Sequence, residues 1–149
     1  MTNYVIQSLQ NTGMCIGTNS RAAGSLVTLQ VLSGSGGTLS QWNMDPNTGY
    51  IHLAADNNMV LDVQGYNGTQ GQIIIAALTL GKTSQKWNWV GQPPRISNMA
   101  YPNMVVDNAG GNVTPGNAIL IWPLNEGQNQ SWSALSVSSL QQLQTAEAK

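Results

Sequence analysis

The sequence predicts an all-β fold in which three equivalent units close around a pseudo-threefold axis, and three observations predict it. Trp42, Trp87 and Trp132 lie 45 and 45 residues apart, and the sets Met14, Met59, Met104 and Ile6, Ile51, Ile96 keep that step. Within each unit, short apolar bursts alternate with Gly- and Asn-rich turns. The 3.6-residue apolar periodicity of a helix is missing from the repeats.

The second unit shows the elements most plainly. Apolar bursts occupy residues 50–54, 59–63, 72–78 and 85–90. Between them lie Asp56-Asn57-Asn58, Gly65-Tyr66-Asn67-Gly68 and Gly81-Lys82-Thr83, all turn formers. Around the methionines the units read GMCIGT, NMVLDV and NMVVDN, which makes Cys15, Val60 and Val105 equivalent. Around the tryptophans they read LSQWNM, SQKWNW and NQSWSA. Gly71 and Gly116 share the register, while Gly24 is offset by two residues. Propellers have a similar period but need at least about four blades. Three units of four strands therefore close on themselves, with the Ile6, Met14, Ile16 and Trp42 sets filling the axis. One domain spans 1–137, its repeats covering about 3–48, 49–93 and 94–137, and 138–149 forms a tail.

Composition narrows the ligand. Of 149 residues only five are Lys or Arg and six Asp or Glu, while 16 Asn, 14 Gln, 13 Ser and 11 Thr carry the polarity. Amides and hydroxyls suit neutral, hydroxylated ligands. A formal charge of −1 leaves no footprint for nucleic acid or an anionic membrane. No apolar run approaches the roughly 20 residues of a membrane span, so no membrane insertion is expected. The start, MTNYVIQSLQNTG, lacks the basic and apolar regions of a secretion signal. A cytoplasmic protein, or one released by another route, is the expectation. The single cysteine, Cys15, has no partner for an internal disulfide and stands where Val60 and Val105 stand, as a small apolar residue.

The third repeat resembles the ricin B-type lectins. That family's unit carries a C-L-D-V-like burst, a Gly-Asn-based turn, an apolar-aromatic-Pro burst and a closing Gln-x-Trp. Residues 105–132, VVDNAGGNVTPGNAILIWPLNEGQNQSW, match it almost throughout. The second unit keeps VLDV and Gln85-Lys86-Trp87; the first has CIGT and Ser40-Gln41-Trp42, so its Asp and Gln are replaced. The resemblance covers nearly the whole chain and implies a β-trefoil.

Sugar recognition wants a flat aromatic surface, an anionic acceptor and an amide. Asp107 would accept charge-assisted bonds from two adjacent hydroxyls. Trp122 would stack under the C–H face of a pyranose. Asn129 would serve the rim with its amide, and Gln130 would buttress the pocket from behind. In the family such a set reads terminal galactose or N-acetylgalactosamine, so the resemblance implies glycans of that kind as partners, with no metal or cofactor. The second repeat is a candidate for a weaker site: it keeps Asp62 and Gln85, but Ala77 and Ser84 match Trp122 and Asn129, leaving Tyr66 as a substitute ring. The first repeat offers Gly17, Gln30 and Leu39 and is expected to be silent.

Plainer readings compete. The recurrent tryptophans belong to a core, whereas Trp122 does not recur and a symmetric core has no use for it. Asp62 and Asp107 could merely fasten turns; Asp107 becomes convincing only with Trp122 and Asn129. Trp89 matches Met44 and Ala134 and has no assigned role. Asn67, Asn112 and Asn129 begin glycosylation sequons, read as incidental without a signal peptide. Catalysis is not expected: glycoside cleavage needs two carboxylates within about 5–9.5 Å, and Asp62 and Asp107 sit in different repeats. The lone His52 aligns with Gln7 and Ser97, an ordinary polar strand position. The tail is expected to fray. The alternative is a short helix capped by Ser138 or Ser139 with Gln141 or Gln142, packing on a neighbouring chain in a homo-oligomer. The rival functions are a protein-binding trefoil, such as a protease inhibitor, and the glycan-targeting subunit of a toxin complex.

Overall fold

The computed structural model describes residues 2–147, with side chains through residue 143; residues 1, 148 and 149 of the expected domain and tail lie outside the described residues. Twelve strands follow in order: β1 Tyr4–Ser8, β2 Met14–Thr18, β3 Val27–Val31, β4 Trp42–Met44, β5 Ile51–Leu53, β6 Asp56–Gln64, β7 Gly71–Ala77, β8 Trp87–Val90, β9 Arg95–Asn98, β10 Met104–Asn108, β11 Ile119–Pro123 and β12 Trp132–Ser136. Short 3₁₀ turns at Thr83–Gln85 and Gln128–Gln130 precede β8 and β12, and α1 spans Val137–Glu147.

Six strands make a barrel. The β1–β12, β1–β4, β4–β5 and β8–β9 ladders run antiparallel. The Trp87 N–H to Gly49 O bond (2.8 Å) and the Trp132 N–H to Pro94 O bond (3.0 Å) close the remaining gaps. The other six form three hairpins, β2–β3, β6–β7 and β10–β11, that cap one end. Gly24 N donates to Ile75 O and Gly116 N to Leu29 O, both at 2.7 Å, while Gly71 pairs with Ile121. The acceptors are equivalent residues, so the hairpins are tied in a triangle. Gly24 and Gly116 hold φ near +90°, which a side chain would strain. This is the closed threefold assembly the repeat implies, in the β-trefoil form that the resemblance implies.

The core follows the repeat. Ile6, Ile51 and Ile96, Ile16, Leu61 and Val106, and Trp42, Trp87 and Trp132 pack in one buried cluster. Each indole N–H also finds a carbonyl at 3.1 Å, on Ile16, Leu61 and Val106 respectively, so burying it leaves no donor unpaired. Cys15 is fully buried and its thiol is pushed up to about 11, chiefly by that burial, against the Ser40 hydroxyl.

Two local expectations are corrected. Asp56–Asn58 are not a turn: the reversal falls at Ala54-Ala55, and a bulge opposite His52 and Leu53 lets β6 begin at Asp56. The tail is helical from Val137, and its cap is Ser136, whose Oγ accepts the Ser139 N–H at 3.2 Å. The cap lies upstream of the residues proposed because β12 ends there, leaving the first-turn N–H groups to be satisfied. Leu143 on this helix is exposed.

Candidate carbohydrate site

Asp107 stands on β10, opposite Leu120, and Val105 stands opposite Trp122. Alternate residues of a strand share a face, as do cross-strand partners, so Asp107 and Trp122 lie on the face turned away from Val106 and Ile121 in the core. Asp107 is buried, whereas Trp122 is 38% exposed. An apolar ring of that size at the surface is unexplained by packing.

The loop before β12 supplies two amides. Gln130 Nε2 donates to Asp107 Oδ2 (2.9 Å) and to Pro123 O (3.0 Å), and its Oε1 accepts the Asn125 N–H at 3.0 Å. Fully buried and fully committed, Gln130 ties the loop to the end of β11 and to the Asp107 carboxylate. Asn129 Nδ2 donates to Asp107 Oδ1 (3.1 Å) and to Asn108 O (3.0 Å), which occupies both its N–H groups and leaves its carbonyl oxygen as an acceptor. Burial pushes the Asp107 carboxyl up from its ordinary value, against the pull of Gln130 and Asn129.

Two supporting residues escaped the sequence reading. A Cβ at Gly127 would come 2.6 Å from Asn129 Oδ1 and 3.0 Å from Asn125 Oδ1, so glycine there leaves room for the site. Buried Asn108 accepts from Asn117 Nδ2 (2.7 Å) and donates to Gln10 Oε1 (3.2 Å) and Asn112 O (2.9 Å), pinning the loop beside the site. The only signal in the sequence was the density of Asn and Gly after Asp107.

The second repeat differs in two ways. Asp62 Oδ1 accepts from Ser84 Oγ (2.7 Å) and Val63 N (2.7 Å), and Oδ2 from Lys82 Nζ (2.8 Å) and Gln85 Nε2 (3.1 Å). Burial raises its carboxyl, but these four donors outweigh it and hold it below the ordinary value. Tyr66 is no free ring beside Asp62; it stacks on Tyr101 with centroids 3.9 Å apart and packs against the core. The residue facing Val60, as Trp122 faces Val105, is Ala76 rather than Ala77. The hairpin turn in the third repeat is one residue longer, which shifts an even 45-residue count. In the first repeat Gln30 does face Cys15, and a Cβ at Gly17 would run into the Gln30 carboxamide. That site is filled by its own chain.

His52 Nδ1 bonds Asn57 O at 2.8 Å, between the neighbouring strands β5 and β6. Among the described residues no cluster of three His, Cys, Asp or Glu is placed to hold a metal, and no helix is long and apolar enough to cross a membrane.

Residues 2–87 match the sequence profile of the ricin-type β-trefoil lectin domain. No curated protein matches the chain. Among solved structures, the C-half of an earthworm R-type lectin in complex with GalNAc superposes with a TM-score of 0.76 at 18% identity, covering 91% of this chain and 99% of that one. A Macrolepiota procera ricin B-like lectin in complex with lactose gives 0.71 at 18%, covering 89% and 93%. A mosquitocidal holotoxin gives 0.78 at 19% over 89% of this chain, which matches 17% of the toxin chain.

Proposed function

The chain belongs to the ricin-type β-trefoil lectin family, and from that premise we propose that it binds glycans ending in galactose or N-acetylgalactosamine through the Asp107, Trp122 and Asn129 pocket. One observation carries the reading. A carboxylate offers about four lone-pair sites; Asp107 uses two of them, one on each oxygen, and Asp62 uses four. Asp107 can therefore take two sugar hydroxyls without giving up a native bond, beside the exposed ring of Trp122. A site built to satisfy a hydroxyl rejects the isomer that lacks it, because buried groups are then left unpaired. The lactose and GalNAc complexes of similar lectins support the choice of sugar. No metal or cofactor takes part. Strong attachment to cells, as in hemagglutination, follows only if self-association presents several sites at once.

The test is a glycan array on wild type, Asp107→Ala and Asp62→Ala. Binding to terminal galactose or N-acetylgalactosamine that vanishes in Asp107→Ala alone is the expected result. Loss in Asp62→Ala would move the site to the second repeat. A wild type that binds no glycan would overturn the proposal and favour a protein-binding trefoil, with protease inhibition the next assay.

A further inference from the structure

The barrel end away from the hairpin cap holds a cavity of about 430 Å³ that shares no residue with the candidate sugar site. Met44, Trp89 and Ala134, one from each repeat at the 45-residue step, all line it. The pseudo-threefold symmetry fails here by side-chain size, which accounts for the opening and gives Trp89 its place. Tyr4, Tyr50 and Trp87 add three more aromatic side chains.

The polar side chains of the lining are few. Asp45 and Asn88 contribute a carboxylate and an amide, and the Tyr50 hydroxyl already accepts the Gly81 N–H at 3.2 Å. One Asp45 oxygen takes the Asn47 N–H at 2.9 Å. That bond, helped by hydrogen bonds from the Thr48 hydroxyl and backbone, holds its carboxyl below the ordinary value despite some burial, so the group stays ionised. No Lys or Arg lines the cavity. The Tyr50 ring already attracts an ammonium, with Lys86 Nζ 5.8 Å from its centroid.

We propose that this cavity binds a small organic cation of the alkylated-ammonium class. Such a cation is attracted by aromatic rings and a carboxylate and needs no hydrogen-bond partners around it. A sugar placed there would instead bury hydroxyls against rings and a thioether without enough acceptors.

Tetramethylammonium and choline chlorides, titrated at constant ionic strength with tryptophan fluorescence and calorimetry as readouts, test this. The wild type should respond saturably. Trp89→Leu, which keeps bulk and removes the ring, and Asp45→Asn, which keeps the acceptor for Asn47 and removes the charge, should each weaken binding about tenfold. Both variants should keep the wild-type glycan profile, so this proposal and the sugar-site proposal fail independently. No saturable response in wild type, or undiminished binding in both variants, would overturn it. So would a lactose response that disappears in Trp89→Leu.

Discussion

Lys82 Nζ lies 2.8 Å from Asp62 Oδ2, and this ion pair makes the second repeat's aspartate a structural anchor where its third-repeat counterpart has amides alone. Asp62 is buried and Lys82 half exposed, so the ammonium keeps part of its hydration while the carboxylate loses nearly all of its own. Removing the carboxylate takes the acceptor from the buried Gln85 amide and from the half-buried Val63 N–H.

Asp62→Ala is therefore expected to lower stability by about 2–3 kcal/mol in urea unfolding, while galactose affinity stays within twofold of wild type, a roughly 0.4 kcal/mol tolerance. Lys82→Met should cost less, about 0.5 kcal/mol, because solvent screens a half-exposed pair.

Trp122→Ala separates binding from folding in the opposite sense. A ring this exposed contributes little to the core, so stability should change by under about 1 kcal/mol. Sugar affinity should fall by about 1–2 kcal/mol, roughly five- to thirtyfold, read by calorimetry. An unchanged affinity would remove Trp122 from the site.

Gly127→Ala tests the loop. Gly127 has φ −67°, so the backbone tolerates alanine, and the lesion is the collision with Asn129 Oδ1, with a lesser crowding of Asn125 Oδ1. Sugar affinity should drop at least about fivefold, roughly 1 kcal/mol, with the unfolding transition nearly unmoved. The Asn129→Ala variant should show no added loss when Gly127→Ala is combined with it.

Acid should weaken binding before it unfolds the protein. The Asp107 carboxyl is raised in the fold above its ordinary 3.8, so on acidification it takes up a proton before an ordinary carboxylate does. Protonation removes the anionic acceptor, and sugar affinity falls as pH drops through that raised value. The same sign means the ionised form opposes folding, and protonation there favours the folded state. Asp62 behaves oppositely: its lowered carboxyl contributes stability that is present above 3.8 and lost only as pH falls further, through the folded value. Affinity and unfolding measured from pH 7 to pH 3 should therefore decline in that order, with the affinity loss absent from Asp107→Asn, whose binding is already gone.

The 45-residue step of Trp42, Trp87 and Trp132 carried the fold in one dimension, because burial at equivalent positions of a repeat is a property of local chain pattern. The grouping of Asp107, Asn129 and Gln130 was legible through the family resemblance of residues 105–132, and the short turn at Gln128–Gln130 carries both amides to the carboxylate. Ala76, Lys82 and Trp89 were not legible. Which alanine faces Val60 depends on a turn one residue shorter than its counterpart, and register is settled only when both strands pair. That Lys82, twenty residues downstream, fills the lone pairs of Asp62 depends on where the loop before β8 comes to rest. The barrel-end opening is lined by three side chains of unequal size, Met44, Trp89 and Ala134, brought together from the three repeats. Pattern along the chain determines which residues are buried; loop length, hydrogen-bond valence and the meeting of distant side chains are decided when the barrel closes.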